Sequence, residues 1–113
     1  MSDAANRTQI DDETREALRE IEEAQGGDAM KVINDRIRSV LEEAPSDSTA
    51  ELLVRRTRDG YKGLLKVYSQ QRKFVGGQTV GKFADLIEQL FSEVHEQIED
   101  WKRGRFNSPQ PVE

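Results

Sequence analysis

The sequence predicts a small two-layer α+β domain with helices packed on one face of an antiparallel β-hairpin or three-stranded sheet, in the order α-α-β-β-(β)-α. Two segments before Pro45 and a longer one after Lys82 place apolar residues at the three- and four-residue spacing of a helix. Between them, two runs with alternating apolar residues flank Asp59-Gly60, a strong hairpin signal. A chain of 113 residues has room for one core of modest size.

The composition is that of a highly charged, helix-rich soluble domain, with 35% charged and 35% hydrophobic residues. The absence of cysteine excludes disulfides, thiolate metal sites and cysteine nucleophiles. No apolar run approaches the length of a membrane span, and the N-terminus lacks the pattern of a signal peptide. We therefore expect a cytoplasmic protein with a single domain at 10–105 between flexible tails at 1–9 and 106–113.

The segment "DDETREALREIEEAQGG" predicts a first helix over 11–25, which Gly26-Gly27 ends. Only Leu18 and Ile21 are large apolar residues within its body, so the sequence leaves open whether this helix docks firmly on the core. Asp28 is a suitable N-cap for a stronger second helix, which Pro45 ends.

The hairpin prediction assigns residues to two faces. If Asp59-Gly60 forms a two-residue type I′ turn, Val54 pairs with Leu65 and, two residues back, Leu52 pairs with Val67. These four side chains then share an apolar face. The opposite face carries Leu53, Arg55, Lys62, Leu64, Lys66 and Tyr68.

The segment after the hairpin is ambiguous. Residues 72–75 form either a short third strand or a continuation of the second, and we favour a third strand that Gly76-Gly77 ends, because two strands alone make a marginal sheet. The last helix is the clearest element, with apolar residues from Phe83 to Trp101 at helical spacing over about five turns.

The residue types that carry catalysis or bind metals are poorly represented. His95 is the only histidine, and its i, i+4 partner Glu99 is one of too few ligands for a closed zinc site. The segment "GGQTVGK" has the glycine spacing of a phosphate-binding loop, but Phe83 replaces the hydroxyl residue that would hold magnesium. We therefore expect no metal, no cofactor and no enzymatic activity.

A basic segment stands out from an acidic chain. Residues 51–82 hold eight lysines and arginines against two acidic residues, a balance of +6 in a chain of net charge −5. Interleaved aromatic residues would allow phosphate contacts and base stacking. The candidate partner-binding residues are Arg55, Arg56, Arg58, Tyr61, Lys62, Lys66, Tyr68, Arg72 and Lys73. Two interpretations stay open: an anionic partner (RNA, a ribosome surface or an acidic protein), or charges that are solvated or paired with the chain's own acidic helices.

The order of helix, antiparallel sheet and closing helix over residues 29–103 resembles the double-stranded-RNA-binding domain. It is also similar to the ribosome-hibernation factors, whose last strand runs into a long amphipathic helix as "KVYSQQRKFVGGQTVGKFADLIEQLFSEVHEQI" does here. The sequence departs from both: no first strand is evident before Asp28, and the basic motif of the final helix is reduced to Lys82. We assign the chain to neither family, and the resemblance implies RNA or ribosome contact only by analogy.

A rival hypothesis places function on the last helix. If Phe91, Trp101 and Phe106 exceed what a small sheet can cover, the exposed stripe would favour a protein partner or a homodimer. The sequence thus predicts a non-enzymatic binding or regulatory domain, with the basic hairpin as its first candidate surface.

Overall fold

The computed structural model describes residues 8–70 and 72–107, with side chains to residue 104. The elements in chain order are β1 (Thr8–Ile10), α1 (Asp12–Gln25), α2 (Ala29–Glu43), β2 (Thr49–Arg56), β3 (Tyr61–Tyr68), β4 (Lys73–Val80) and α3 (Phe83–Asn107). The predicted α+β class and the order α-α-β-β-β-α are confirmed. The sheet has four strands in the order β1-β2-β3-β4, with β1 parallel to β2 and the other pairs antiparallel.

Strand β1 is the element that the sequence did not reveal. Thr8 and Gln9, which we expected in the N-terminal tail, instead form this strand with Ile10 and pair with residues 50–52 of β2. Three residues are too few to display an alternating pattern. Strand β1 also lies before Asp28, where the sequence showed no counterpart of the first strand of the ribosome-hibernation factors. At the other end, α3 extends to Asn107, past the expected boundary at 105, and the rest of both predicted tails lies outside the described residues.

The first helix is docked. The Asp11 carboxylate caps α1 by accepting a 3.0 Å hydrogen bond from the Thr14 N–H, and Gly26, with φ 78°, ends the helix. Leu18 and Ile21 are both buried against the core. These two large apolar residues are therefore sufficient to dock α1, because the helix needs to cover little more than β2.

The hairpin turn differs from the prediction. Val54 pairs with Gly63 and Leu52 with Leu65, which centres the turn on Arg58 and Asp59. The turn residues all have negative φ, so the type I′ turn predicted at Asp59-Gly60 is wrong. Because the pairing is displaced by two residues, each side chain keeps its predicted face.

Gly60 has a different role from the one predicted. A Cβ at this position would lie 2.0 Å from the Val80 carbonyl oxygen. The glycine therefore lets the turn pack against the end of β4, and its capacity for positive φ is not used.

Strand β4 runs through Gly76-Gly77 to Val80, so the predicted end at residue 75 is wrong. A Cβ on Gly76 would lie 2.9 Å from the Leu90 carbonyl oxygen, and one on Gly63 would lie 2.9 Å from the side chains of Leu86 and Leu90. Gly63 and Gly76 therefore allow α3 to approach the sheet closely. Sequence reasoning took Gly76-Gly77 for a strand end, because the helix that packs on Gly76 is distant in sequence.

All three helices of the described chain pack on the same face of the sheet. Their apolar stripes meet the inward residues of the strands, including Leu52, Val54, Leu65 and Val67, which are fully buried. None of the helices within residues 8–70 and 72–107 lies on the opposite face. We call it the open face, and its members on β2, β3 and β4 are Thr49, Glu51, Leu53, Arg55, Lys62, Leu64, Lys66, Tyr68, Lys73, Val75, Gly77 and Thr79.

Candidate functional site

The open face is organised in rows across the strands. Leu53, Leu64 and Gly77 are consecutive partners and form an apolar central row. On one side lies the polar row of Arg55, Lys62 and Thr79, and on the other lies the row of Glu51, Lys66 and Val75. An apolar strip thus runs between two rows that carry charge.

A depression of about 510 Å³ lies over the central row and the polar row beside it. Its floor includes Leu53, Leu64 and Gly77, and its rim includes Arg55 and Lys62. The volume falls within the range of about 300–1,000 Å³ typical of small-molecule sites.

Three of the predicted cations are paired within the chain. Arg55 lies 2.5 Å from the Asp11 carboxylate and 3.2 Å from Glu13, both at the start of α1. The hydrogen bond from Arg55, with further hydrogen bonds from Thr14, holds the pKa of Asp11 well below its ordinary value of 3.8. This ion pair fastens α1 to β2 and leaves Arg55 less available to a partner.

The other two paired cations, Arg56 and Lys66, are also held by acidic residues of the chain. Arg56 lies 2.8 Å from Glu20 of α1, on the helix-covered side of the hairpin. Lys66 lies 3.0 Å from Glu51, its direct cross-strand partner on the open face. Self-pairing, one of the two interpretations left open by the sequence, therefore accounts for part of the basic segment.

Four predicted cations have no ion pair among the described residues: Arg58, Lys62, Arg72 and Lys73. Lys62 and Lys73 are exposed members of the open face, near opposite ends of the sheet. Arg58 lies in the β2–β3 turn and Arg72 precedes β4. The cationic groups left for a partner are thus separated along the strands.

The two predicted aromatic residues lie on opposite faces. Tyr68 belongs to the open face, and its hydroxyl lies 3.5 Å from Oε1 of Gln9. Tyr61 faces the helices and packs edge to face on Phe83, with 5.8 Å between ring centroids. Tyr68 is therefore the one of the two that a ligand on the open face would meet.

The outer edge of β4 is occupied by side chains of α3. Gln97 accepts a 2.9 Å hydrogen bond from the Val75 N–H and donates a 2.7 Å hydrogen bond to the Val75 carbonyl. Glu93 accepts a 3.0 Å hydrogen bond from the Gly77 N–H. These contacts satisfy backbone groups that an added strand would need.

A second cluster lies between α2 and α3. Glu43 joins the predicted pair of His95 and Glu99, with 3.7 Å from its Oε1 to His95 Nδ1. Sequence reasoning missed Glu43 because only the tertiary fold brings it there. Lys102 Nζ lies 3.3 Å from Glu43 and 3.6 Å from Glu99, so an ammonium group already neutralises these half-buried carboxylates. We interpret the cluster as an ion-pair network that joins the two helices.

The apolar stripe of α3 is covered by the chain itself. Phe91 is 3% exposed, and the Arg36 guanidinium lies over its ring at 5.1 Å from the centroid. Trp101 is partly buried, with its ring 6.2 Å from that of Phe74 in an edge-to-face contact. The surface on which the self-association hypothesis rests is therefore small, and the side chain of Phe106 lies outside the described part of the chain.

Comparison with known proteins returned no matching family model and no similar curated protein. Within the described residues, none of the helices has the combination of length and hydrophobicity that a membrane span requires.

Proposed function

We propose that the protein is a non-enzymatic, cytoplasmic binding domain whose open face contacts single-stranded RNA. The observation that supports this most directly is the position of Lys62 and Lys73. Both are exposed cations without an ion pair among the described residues, and they lie on the same sheet face as an apolar row and Tyr68. Phosphates require cations, and unstacked bases require apolar or aromatic surfaces beside them.

The geometry favours RNA over a peptide. Extended peptides commonly bind by adding a strand to a sheet edge, where the main chain supplies the hydrogen bonds. Gln97 and Glu93 already occupy the β4 edge. What the fold leaves accessible is a broad sheet face, and sheet faces are the surfaces on which single-stranded bases are stacked.

The charge pattern predicts a weak, salt-sensitive interaction. With Arg55, Arg56 and Lys66 paired internally, the open face offers few cations to phosphates. For single strands, the logarithm of the binding constant falls with the logarithm of salt concentration by about 0.7 per phosphate neutralised. Contacts by Lys62 and Lys73 alone therefore correspond to a slope of about −1.4.

The test is a titration of isotope-labelled protein with a mixed-sequence RNA of eight nucleotides at several salt concentrations. K62A/K73A should lower the affinity at least tenfold at low salt and flatten the salt slope. K31A/R38A is a matched control, because it removes the same charge from α2, on the opposite side of the sheet.

Failure of RNA to bind at low salt would overturn the proposal, as would equal binding by K62A/K73A and the wild type. If a glutamate-rich peptide bound where RNA did not, the partner would be an acidic protein segment instead.

A further inference from the structure

Gly77 is a glycine that the fold does not require. Its φ is not positive, and a Cβ there would meet Leu64 at 3.6 Å and the Gly63 carbonyl oxygen at 3.9 Å, which are ordinary contacts. Gly63 and Gly76 differ, since a Cβ at either would collide with α3. The evident consequence of glycine at 77 lies at the surface, where the missing side chain leaves the central row open.

The resulting depression combines two kinds of surface. Leu53, Leu64 and the bare backbone of Gly77 make a flat apolar floor. In the adjoining row, Lys62 supplies an exposed ammonium group and Thr79 an exposed hydroxyl group. Arg55, the third member of this row, is held by Asp11. A ligand complementary to this surface has a flat apolar face beside a negative charge.

We propose that this depression is a nucleobase subsite, in which one unstacked base of the RNA lies on Leu53, Leu64 and Gly77 while Lys62 contacts its phosphate. The inference rests on the proposed function and deepens it by locating a base contact. A base has a flat face that apolar side chains can sandwich or support, and its phosphate lies close by on the same nucleotide. Thr79 is placed to hydrogen-bond a polar edge, which an aliphatic ligand would lack.

The decisive variant is Gly77→Val, which should place a branched side chain on the floor of the depression, where the base would lie, and leave the fold intact. Valine is favoured in strands, and the Cβ position is free of collision. The loss of one base contact should weaken binding of the eight-nucleotide RNA by about 5- to 150-fold. The salt slope should stay at the wild-type value, because no phosphate contact is removed.

Lys62→Ala provides the complementary result. It should reduce the magnitude of the salt slope by about 0.7 and leave the depression intact. The two variants therefore separate the base contact from the phosphate contact within the same site.

Gly77→Ala is the second variant, with a smaller side chain and an intermediate expected loss, and the amide spectrum of each variant reports whether the sheet is intact. If G77V and G77A bind RNA as tightly as the wild type, the base subsite is wrong while RNA binding by the open face stands. If the wild type binds no RNA, both proposals fail together.

Discussion

Thr14 shows how a single buried hydroxyl can join two elements. Its side chain is fully buried, and Oγ1 accepts a 2.9 Å hydrogen bond from the Val54 N–H. Strand β1 ends at Ile10, which pairs with Leu52, so the Val54 N–H lies beyond the last strand partner. The first turn of α1 thus continues the pairing where β1 stops.

Replacing Thr14 with valine should destabilise the fold by about 1–3 kcal/mol, because the shape is kept while a buried N–H loses its acceptor. Thr14→Ser keeps the hydroxyl and should stay much closer to the wild type. Urea denaturation of the three proteins measures the difference. Equal stability of T14V and the wild type would contradict the role assigned to this hydrogen bond.

The Asp11–Arg55 pair predicts a pH dependence of stability. Since Arg55 and Thr14 lower the pKa of Asp11 in the folded state, its contribution is fully present above the ordinary value of 3.8 and is lost as the pH falls through the lower folded value. Asp11→Asn retains an N-cap but not the ion pair.

We therefore expect D11N to be less stable than the wild type from pH 5 to 7, with a gap that narrows below about pH 4. Chemical denaturation across this range measures the gap. Asp12→Asn is the control, because Asp12 is an exposed acid in the same turn, and among the described residues Arg55 forms its ion pairs with Asp11 and Glu13 instead. A gap that stays constant to pH 2 would contradict the assignment.

The long helix α3 and the glycines beneath it form the central packing unit at the level of elements. Gly63 of β3 pairs with Gln78 and Gly76 of β4 pairs with Leu65, so the two glycines are diagonal neighbours on the inner face, and α3 packs on both. The helix then reaches the edge of β4 through Gln97 and Glu93. One element therefore covers the β3–β4 part of the core face and occupies the β4 edge.

Because α3 packs on Gly76 and not on Gly77, substitutions at these two neighbouring positions should differ in their effect on stability. Gly76→Ala should cost about 1–3 kcal/mol, because the Leu90 carbonyl oxygen, 2.9 Å from the new Cβ, is backbone and cannot rotate away. Gly77→Ala has only ordinary contacts and should be neutral or slightly stabilising. Thermal unfolding of both variants checks this, and equal melting temperatures would show that α3 is not held as closely as described.

At the scale of the whole molecule, the fold divides the basic segment into cations paired within the chain and cations left accessible. Acidic residues of α1 pair with Arg55 and Arg56, and Glu51 pairs with Lys66. Lys62 and Lys73 remain exposed on the side of the sheet away from the helices. The local balance of +6 thus overstates the charge that a partner would meet.

Much of the fold could be predicted because its signals are local. The apolar stripe of α3 and the alternation in β2 and β3 each fall within one segment. The predicted faces of the hairpin residues are correct although the strand pairing is displaced by two residues, because a shift of two keeps each side chain on its face. Strand β1 escaped prediction because three residues carry no period and depend on β2 for their hydrogen bonds. The turn and the end of β4 were predicted wrongly because Gly60 and Gly76 are required by close contacts with residues distant in sequence, Val80 and Leu90.

The sequence by itself determined the α+β class, the helices and the two faces of the central strands, because hydrophobic periodicity is a property of consecutive residues. Only the tertiary structure decided which cations are paired, and that Gly77 opens a depression where Gly76 admits a helix. The physical reason is distance along the chain. Arg55 meets Asp11 across 44 positions, and no local pattern records which residues such contacts will join.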